Sequence, residues 1–240
     1  MVSAVNSKRH YSREDYTVLI PNNLNKYQAE WLDICGINHK KVSKAYYGKN
    51  TLIEADELIV PLTLYSPFEF QPDLQALKKF RNLVIKKTQT AELPSDLPKK
   101  IYISRGDASN SRGIQNEAAF ERKLRRHGFI IVKLSECSVL EQINLFKHAD
   151  IIVASHGAGL SNIIFAKETC IIIEINQANY FNMCFSAMHS VLQLQGSYNH
   201  YIAPCSDPTN KNTGSYHLQK TNANHSKLIE LITSRDFERS

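Results

Sequence analysis

A turn of small residues that carries a histidine follows an apolar run in the second half of the sequence. Residues 151–154 (IIVA) predict a buried strand, and residues 155–162 (SHGAGLSN) follow it directly. Small residues let the chain turn sharply and bring backbone N–H groups close to a ligand, while the start of a helix adds partial positive charge. His156 can donate a hydrogen bond to a phosphate oxygen, and Asn162 can orient either the loop or a sugar. The pattern is typical of a phosphate or diphosphate site, and many α/β proteins also use such a turn for structure alone.

Two arginines bracket a second polar loop. Arg105 follows the apolar run 101–103, and Arg112 comes after a stretch of small polar residues. A guanidinium keeps its charge and donates two hydrogen bonds at once, which suits a phosphate group. The alternative is a pair of surface arginines. Beyond the loop, Asn116 fits the N-cap of a helix, and Glu117 fits its first turn, where a carboxylate interacts favourably with the helix dipole.

A carboxylate lies near the end of a third apolar run, residues 171–175 (IIIEI). Burying an unpaired carboxylate costs several kcal/mol, so Glu174 requires a partner. The 2′,3′-diol of a ribose is one match, because two hydroxyls fit two carboxylate oxygens. A salt bridge to Arg105 or to a lysine is the structural alternative.

The elements that must position these residues alternate between short β-branched runs and helical patterns, which is typical of a parallel α/β sheet. In such a sheet ligands bind at the carboxyl ends of the strands, where all three segments fall. The predicted elements of this half are strands at 100–104, 129–132, 151–154 and 170–175, helices at 116–127, 140–148, 158–165 and 180–194, a loop at 206–216 and a final helix near 223–233.

The first half of the chain is less regular. Two prolines and no hydrophobic periodicity in residues 92–98 predict a linker, so we expect domains at 1–92 and 93–240. The predicted elements before the linker are a strand at 16–20 ended by Pro21, a helix at 25–35 closed by Gly36, a strand at 58–60 ended by Pro61 and a helix at 75–84.

The composition fits a globular domain. Of 240 residues, 42% are hydrophobic and 22% charged, which excludes a disordered chain. No apolar run approaches the ~20 residues of a membrane span, and we expect no secretory leader. Five widely spaced cysteines without a CxxC pair predict free thiols in a reducing compartment, not disulfides or a zinc site.

The net charge of +6 favours anionic partners such as nucleotide phosphates, acidic lipids or nucleic acid. The basic cluster at 122–126 is either a solvated helix face or a binding patch. Because the sequence carries no signature of a nucleic-acid-binding module, we do not expect nucleic acid as a partner.

The ordered set of motifs resembles a known family. The residues that carry the resemblance are 103–105 (ISR), 112–117 (RGIQNE), 141–143 (EQI) with Phe146 and Ala149, 156–162 (HGAGLSN) with Phe165, and 173–175 (IEI). Together they resemble glycosyltransferase family 61, which includes plant xylosyl- and arabinosyltransferases, animal O-linked GlcNAc transferases and bacterial capsular-polysaccharide enzymes. The resemblance is specific over about residues 100–176 and looser over residues 16–94.

This resemblance implies a GT-B fold, in which two Rossmann-like domains face a cleft. Each domain is a parallel sheet with helices on both faces, and the C-terminal one mainly holds the nucleotide-sugar. The resemblance also implies inversion at the anomeric carbon, a UDP-sugar as the expected donor, a polysaccharide or glycoconjugate acceptor, and no required metal or further cofactor. The binding residues implied are Ser104, Arg105, Arg112, His156, Gly157, Ala158, Gly159, Leu160, Asn162 and Glu174.

Within that set, the resemblance implies three roles. Arg105, Arg112 and His156 would neutralise the diphosphate leaving group. The backbone from Gly157 to Leu160 would cradle it, and Glu174 would hold the ribose. Negative charge develops on the departing diphosphate, and fixed hydrogen-bond donors stabilise the transition state most strongly at that position.

The N-terminal domain is expected to be incomplete, because the motifs begin near Tyr16. An inverting enzyme needs a general base. The candidates in this half are His10, Asp15, His39 and Asp56, and each fits the role of a surface residue better than that of a base. The alternatives are a truncated enzyme, a piece that works with a partner chain or a second copy, an inactive donor-binding module, and a polysaccharide pyruvyl transferase of similar plan. A bacterial member would be cytoplasmic and peripheral at the membrane, and a eukaryotic one would lie in the Golgi or endoplasmic reticulum lumen.

Overall fold

The structure is a computed structural model, and it describes residues 18–21, 24–37, 44–47, 54, 74–89, 96–106, 113–206 and 220–234. The chain divides into two compact units, residues 1–92 and 93–240, which we describe in turn. The predicted strand at 58–60, the loop that contains Arg112 and most of the predicted loop at 206–216 lie outside the described residues. The candidate bases His10, Asp15, His39 and Asp56 also lie outside them.

The first unit contains two strands that pair in parallel and two helices in contact. Its elements are β1 (Val18–Pro21), α1 (Lys26–Ile34), β2 (Lys44–Tyr47) and α2 (Leu74–Thr88). Asn25 and Gln28 form a capping box that begins α1, and Gly36 follows its end with φ +75°, as predicted for a helix stop. The first strand ends at Pro21, as predicted, although Pro21 is itself the last paired residue and the strand begins at Val18. How complete this unit is stays a prediction.

The second unit contains a five-stranded parallel sheet flanked by helices, so the α/β prediction is confirmed. In space the strands run β4-β3-β5-β6-β7. Every neighbouring pair is parallel, which is compatible with a Rossmann-like sheet. The elements are β3 (Lys100–Ile103), α3 (Glu117–Arg126), β4 (Ile130–Val132), a short 3₁₀ helix (Leu134–Glu136), α4 (Val139–His148), β5 (Ile151–Ser155), a 3₁₀ helix (Ala158–Phe165), β6 (Ile171–Gln177), α5 (Cys184–Leu192), β7 (Tyr198–Ala203) and α6 (His225–Thr233).

At one place in this parallel sheet, the connections that follow two neighbouring strands run toward opposite edges of the sheet. The chain passes from β3 to β4 on one side of β3, and then crosses back to β5 on the other side. Loops that leave β3 and β5 therefore part at their carboxyl ends and open a crevice. In doubly wound sheets ligands bind in this crevice.

Side chains on alternate positions of the strands face different helices. Tyr102, Val153 and Ile173 belong to one buried cluster together with apolar residues of α3 and α6. Because successive side chains of a strand point to opposite faces, Glu174 points away from this cluster. Its partners on the other face contact α5, as described below.

The short helix predicted at 158–165 is present with the same bounds as a 3₁₀ helix. Two other local predictions differ from the structure. The helix predicted at 180–194 begins only at Cys184, whose N–H donates to Asn182 Oδ1 at 2.9 Å and so marks the helix start. Asn116 stands before α3 in the left-handed conformation, φ +56°, and its side chain makes no capping hydrogen bond.

The sequence analysis missed β7. Its apolar positions are interrupted by Asn199 and His200, and it is an edge strand that pairs only with β6 among the described strands. A half-exposed edge strand does not need a continuous apolar run. Within the described residues, no helix has the length and apolar character that crossing a membrane requires. All five cysteines are free thiols, as predicted.

Candidate active site

A small cavity of about 100 Å³ lies at the crevice between the carboxyl ends of β3 and β5. Five of the predicted site residues line it, two after β3 and three after β5. They are Ser104, Arg105, Gly157, Gly159 and Leu160, and Ile103, Leu134, Ala154 and Ser155 complete the wall. The sheet thus brings two loops that are distant in sequence to one site.

The Arg105 guanidinium packs against the backbone of Gly157. A Cβ atom at position 157 would overlap Arg105 Nη1 and lie 3.1 Å from Cζ. The φ of Gly157 is 168°, which is extended backbone that any residue adopts. The absent side chain of Gly157 therefore lets the guanidinium lie directly on the loop, and a Cβ here would displace the flexible end of Arg105.

Glu117 and Glu121 of α3 hold the end of β3. Glu117 Oε1 accepts from Tyr102 Oη at 2.6 Å and from the Arg105 backbone N–H at 3.1 Å. Ser104 Oγ donates to Glu121 at 2.8 Å and accepts from the Gly106 N–H at 3.2 Å. Burial, followed by the charge of Glu117, raises the pKa of Tyr102 well above its ordinary value, so Tyr102 remains a donor. Glu117 thus positions the start of the Arg105 loop, a role beyond that of a first-turn carboxylate.

Asn162 and Gln142 connect the glycine loop, residues 157–160, to the opposite wall of the cavity. Asn162 Nδ2 donates to Gln142 Oε1 at 3.0 Å and to the Gly159 carbonyl at 3.3 Å. Gln142 Nε2 donates to the carbonyls of Leu134 and Cys137, at 2.9 and 3.2 Å. These contacts fit the first role predicted for Asn162, which is to orient the loop, while its contact with a sugar stays a prediction. Ala158, the next residue of the predicted cradle, is exposed.

His156 lies beside the cavity and not in its wall. Its Nδ1 is 2.6 Å from Glu174 Oε1, and its ring contacts those of Tyr180 and Phe185, with centroids 5.5 and 5.2 Å apart. The side chain is 10% exposed, and Nε2 has no protein partner among the described residues. Arg105 lines the cavity with the loop backbone, whereas His156 belongs to a neighbouring cluster. That both side chains contact one diphosphate stays a prediction.

Glu174 is fully buried, and protein side chains contact both of its oxygens. Oε1 faces His156, while Oε2 accepts from Tyr198 Oη at 2.9 Å and lies 3.2 Å from His200 Nδ1. The expected partner of this carboxylate exists, but it is neither Arg105 nor a lysine. The ribose role predicted for Glu174 does not fit these contacts, because a diol would first have to displace Tyr198 or a histidine.

The structure does not describe Arg112, so its predicted phosphate contact stays a prediction. Among the described residues, no group of three or more His, Cys, Asp or Glu side chains could hold a metal ion.

Comparison with known families gives a match over most of the chain. The family model of Glycosyltransferase 61 matches residues 9–173, more than half of the chain. The chain belongs to glycosyltransferase family 61. This confirms the resemblance and the enzyme class, so the cavity of this family 61 domain belongs to a protein that transfers a sugar from a donor to an acceptor. A search among curated proteins found none that matches.

Several residues of the site follow the segment that the family 61 match covers. Glu174, Asn176, Tyr198 and His200 all lie beyond residue 173. Of these, sequence analysis found only Glu174. It missed Tyr198 and His200 because they lie on β7, and it missed Asn176 of β6 because its partner is His200. The available signal was the period of two in residues 198–203 (YNHYIA), in which Tyr198, His200 and Ile202 share one face.

Proposed function

We propose that this family 61 domain is an inverting glycosyltransferase that takes its sugar from a nucleotide-sugar, with a UDP-sugar as the expected donor. The acceptor would be a polysaccharide or another glycoconjugate. The observation that carries the proposal is the Arg105 guanidinium packed on the Gly157 backbone, at the crevice where doubly wound sheets bind ligands.

The proposed leaving group is a nucleoside diphosphate that Arg105 and the backbone of residues 157–160 contact. Glycosyl transfer passes through an oxocarbenium-like state, and negative charge grows on the departing phosphate. A guanidinium already held in place stabilises that charge without reorganisation during the reaction. Arg112, seven positions after Arg105, is the proposed second cation.

His156 is the proposed third contact to the leaving group. Its Nδ1 hydrogen bonds with Glu174, which leaves Nε2 to face a ligand. Glu174 would then act by orienting the imidazole, in place of the ribose contact. In the GT-B arrangement that the family implies, the residues after 92 hold the donor and the first unit provides the acceptor side.

Isothermal titration calorimetry of the full chain tests the proposal with UDP and with UDP-, GDP- and CMP-sugars. We expect UDP to bind, and Arg105→Ala to weaken binding about 10-fold or more, since it removes a charge-assisted contact worth about 1.5 kcal/mol. Arg125→Ala is the matched control, because Arg125 is exposed on α3 and its nearest carboxylate is Glu121 on the same helix, 3.7 Å away.

Two outcomes would change the conclusion. Absence of binding to every nucleotide at millimolar concentration would overturn the nucleotide-sugar donor. Donor binding without transfer or hydrolysis would instead favour the donor-binding module considered from the sequence.

A further inference from the structure

The Glu174 cluster consists of His156, Glu174, Asn176, Tyr198 and His200. Two neighbouring strands and one turn build it, because the register pairs Glu174 of β6 with His200 of β7, and His156 follows β5. Four of its five members lie beyond the segment that matches family 61. Asn176, Tyr198 and His200 are therefore members of this cluster to which the family resemblance gives no role.

One buried carboxylate organises this cluster. Glu174 has no exposed surface, and a buried anion is tolerated only where donors surround it. Tyr198 Oη supplies a neutral hydrogen bond at 2.9 Å, and His156 Nδ1 lies 2.6 Å away on the other oxygen. His200 Nδ1, at 3.2 Å, is the third contact.

His200 Nδ1 has two neighbours with opposite hydrogen-bonding requirements. Asn176 Nδ2, at 3.0 Å, can only donate, whereas Glu174 Oε2 can only accept. An unprotonated Nδ1 satisfies Asn176, and a protonated Nδ1 satisfies Glu174. Asn176 Oδ1 is buried without a hydrogen-bond partner among the described residues. A turned amide would place that oxygen where it can accept from the protonated ring.

The other titratable groups around His200 hold their protons near neutral pH or stay uncharged. Burial raises the pKa of Cys184 on α5 to about 11 and, with the charge of Glu174, raises that of Tyr198 well above its ordinary value. Burial also lowers the pKa of His189 on α5, which keeps that ring neutral. The aromatic ring of Phe181, which is uncharged, also contacts His200. Among the described residues, the side chains that share the Glu174 carboxylate are thus His156, Tyr198 and His200.

We propose that His200 is a positioning residue of the transfer site, which decides through Glu174 how strongly His156 is held. When His200 is unprotonated, Asn176 binds its Nδ1, and the charge of Glu174 acts on His156. When His200 is protonated, it shares Glu174 and the hold on His156 weakens. This inference rests on the proposed function only in giving His156 a ligand to contact.

Nitrogen NMR of the full chain labelled with [¹⁵N]histidine tests the coupling without any substrate. The variants are His200→Gln and the control His148→Gln, which removes a histidine whose Nδ1 lies on the Asn144 carbonyl of α4. His156→Gln assigns the His156 signals. We expect the His156 Nδ1 signal of the unmodified chain to show an inflection at the pH where His200 titrates. That inflection should disappear in His200→Gln and remain in His148→Gln.

A His156 titration curve that is the same in His200→Gln and in the unmodified chain would overturn the inference. If His200→Gln does not fold, the unmodified chain decides alone, because a His156 signal that ignores the His200 titration also overturns it. If the proposed function is wrong and this inference is right, the result is different: the histidines remain coupled, and calorimetry detects no UDP binding.

Discussion

The guanidinium of Arg105 occupies the space that a side chain at Gly157 would need. The two residues follow β3 and β5, which are far apart in sequence and adjacent in the sheet. This contact joins the loop after β3 to the glycine loop. It allows a test of the candidate site that does not depend on the identity of the transferred sugar.

We expect Gly157→Ala to weaken UDP binding about 10-fold or more, because the new methyl group displaces the Arg105 guanidinium. Stability should change little, since Gly157 has an extended backbone. Gly106→Ala is the control, because a Cβ there meets no atom closer than 3.5 Å. In calorimetry, the double variant Arg105→Ala with Gly157→Ala should bind no more weakly than Arg105→Ala. Additive losses would show that Gly157 acts independently of Arg105.

Removing the Tyr198 hydroxyl should destabilise the fold by about 1.5–3 kcal/mol, the range for a hydrogen bond to a charged group. Tyr198→Phe keeps the ring between His189 and His200 and leaves Glu174 Oε2 without its neutral donor. Tyr201→Phe on the same strand is the control, because the Tyr201 hydroxyl makes no hydrogen bond within the described residues. Urea denaturation measures the free energy of unfolding of both variants. Equal losses in the two would contradict a hydrogen bond from Tyr198 to a charged Glu174.

Gln142 and Asn162 should act as one unit. Each single alanine variant breaks the hydrogen-bonded link between the glycine loop and the 3₁₀ helix Leu134–Glu136. The second substitution should therefore lower the free energy of unfolding by less than it does alone. A double-mutant cycle on the free energy of unfolding should give a coupling of about 0.5–3 kcal/mol, as found for residues in one hydrogen-bond network. The exposed Gln195 provides a control with Asn162, for which the two losses should add.

His189 should make the fold sensitive to acid. Burial lowers its pKa below the ordinary 6.5, so below about pH 6.5 the unfolded chain binds more protons than the folded chain. Stability from this group is complete above that pH and falls as the solution becomes more acidic. We expect His189→Phe to lose less stability than the unmodified chain between pH 7 and about pH 5.5, measured by urea denaturation. The exposed His127→Gln variant controls for the loss of one histidine, and an identical pH slope in His189→Phe would contradict the assignment.

Much of the local structure was predictable because short-range patterns govern it. Ser138 and Glu141 form the capping box at the start of α4, and Gly128 follows α3 with φ +80°, so turn and cap chemistry marks the helix limits. The apolar runs of β3, β5 and β6 are buried on both faces, and their β-branched residues identify them without an alignment. Of these runs, Ile103 and residues 173–175 also carried the resemblance to family 61.

The sequence by itself determined β1 and the strands β3 to β6, the small-residue turn after β5 and the residue types available for a phosphate. Only the tertiary structure decided which of these residues meet. The strand order places β3 beside β5, so Arg105 reaches Gly157, and the register of β6 with β7 sets His200 against Glu174. Register and strand order depend on packing between distant segments, which hydrophobic period and turn chemistry do not encode locally. For this reason Glu174 could be identified as a carboxylate in need of a partner, while the identity of that partner required the fold.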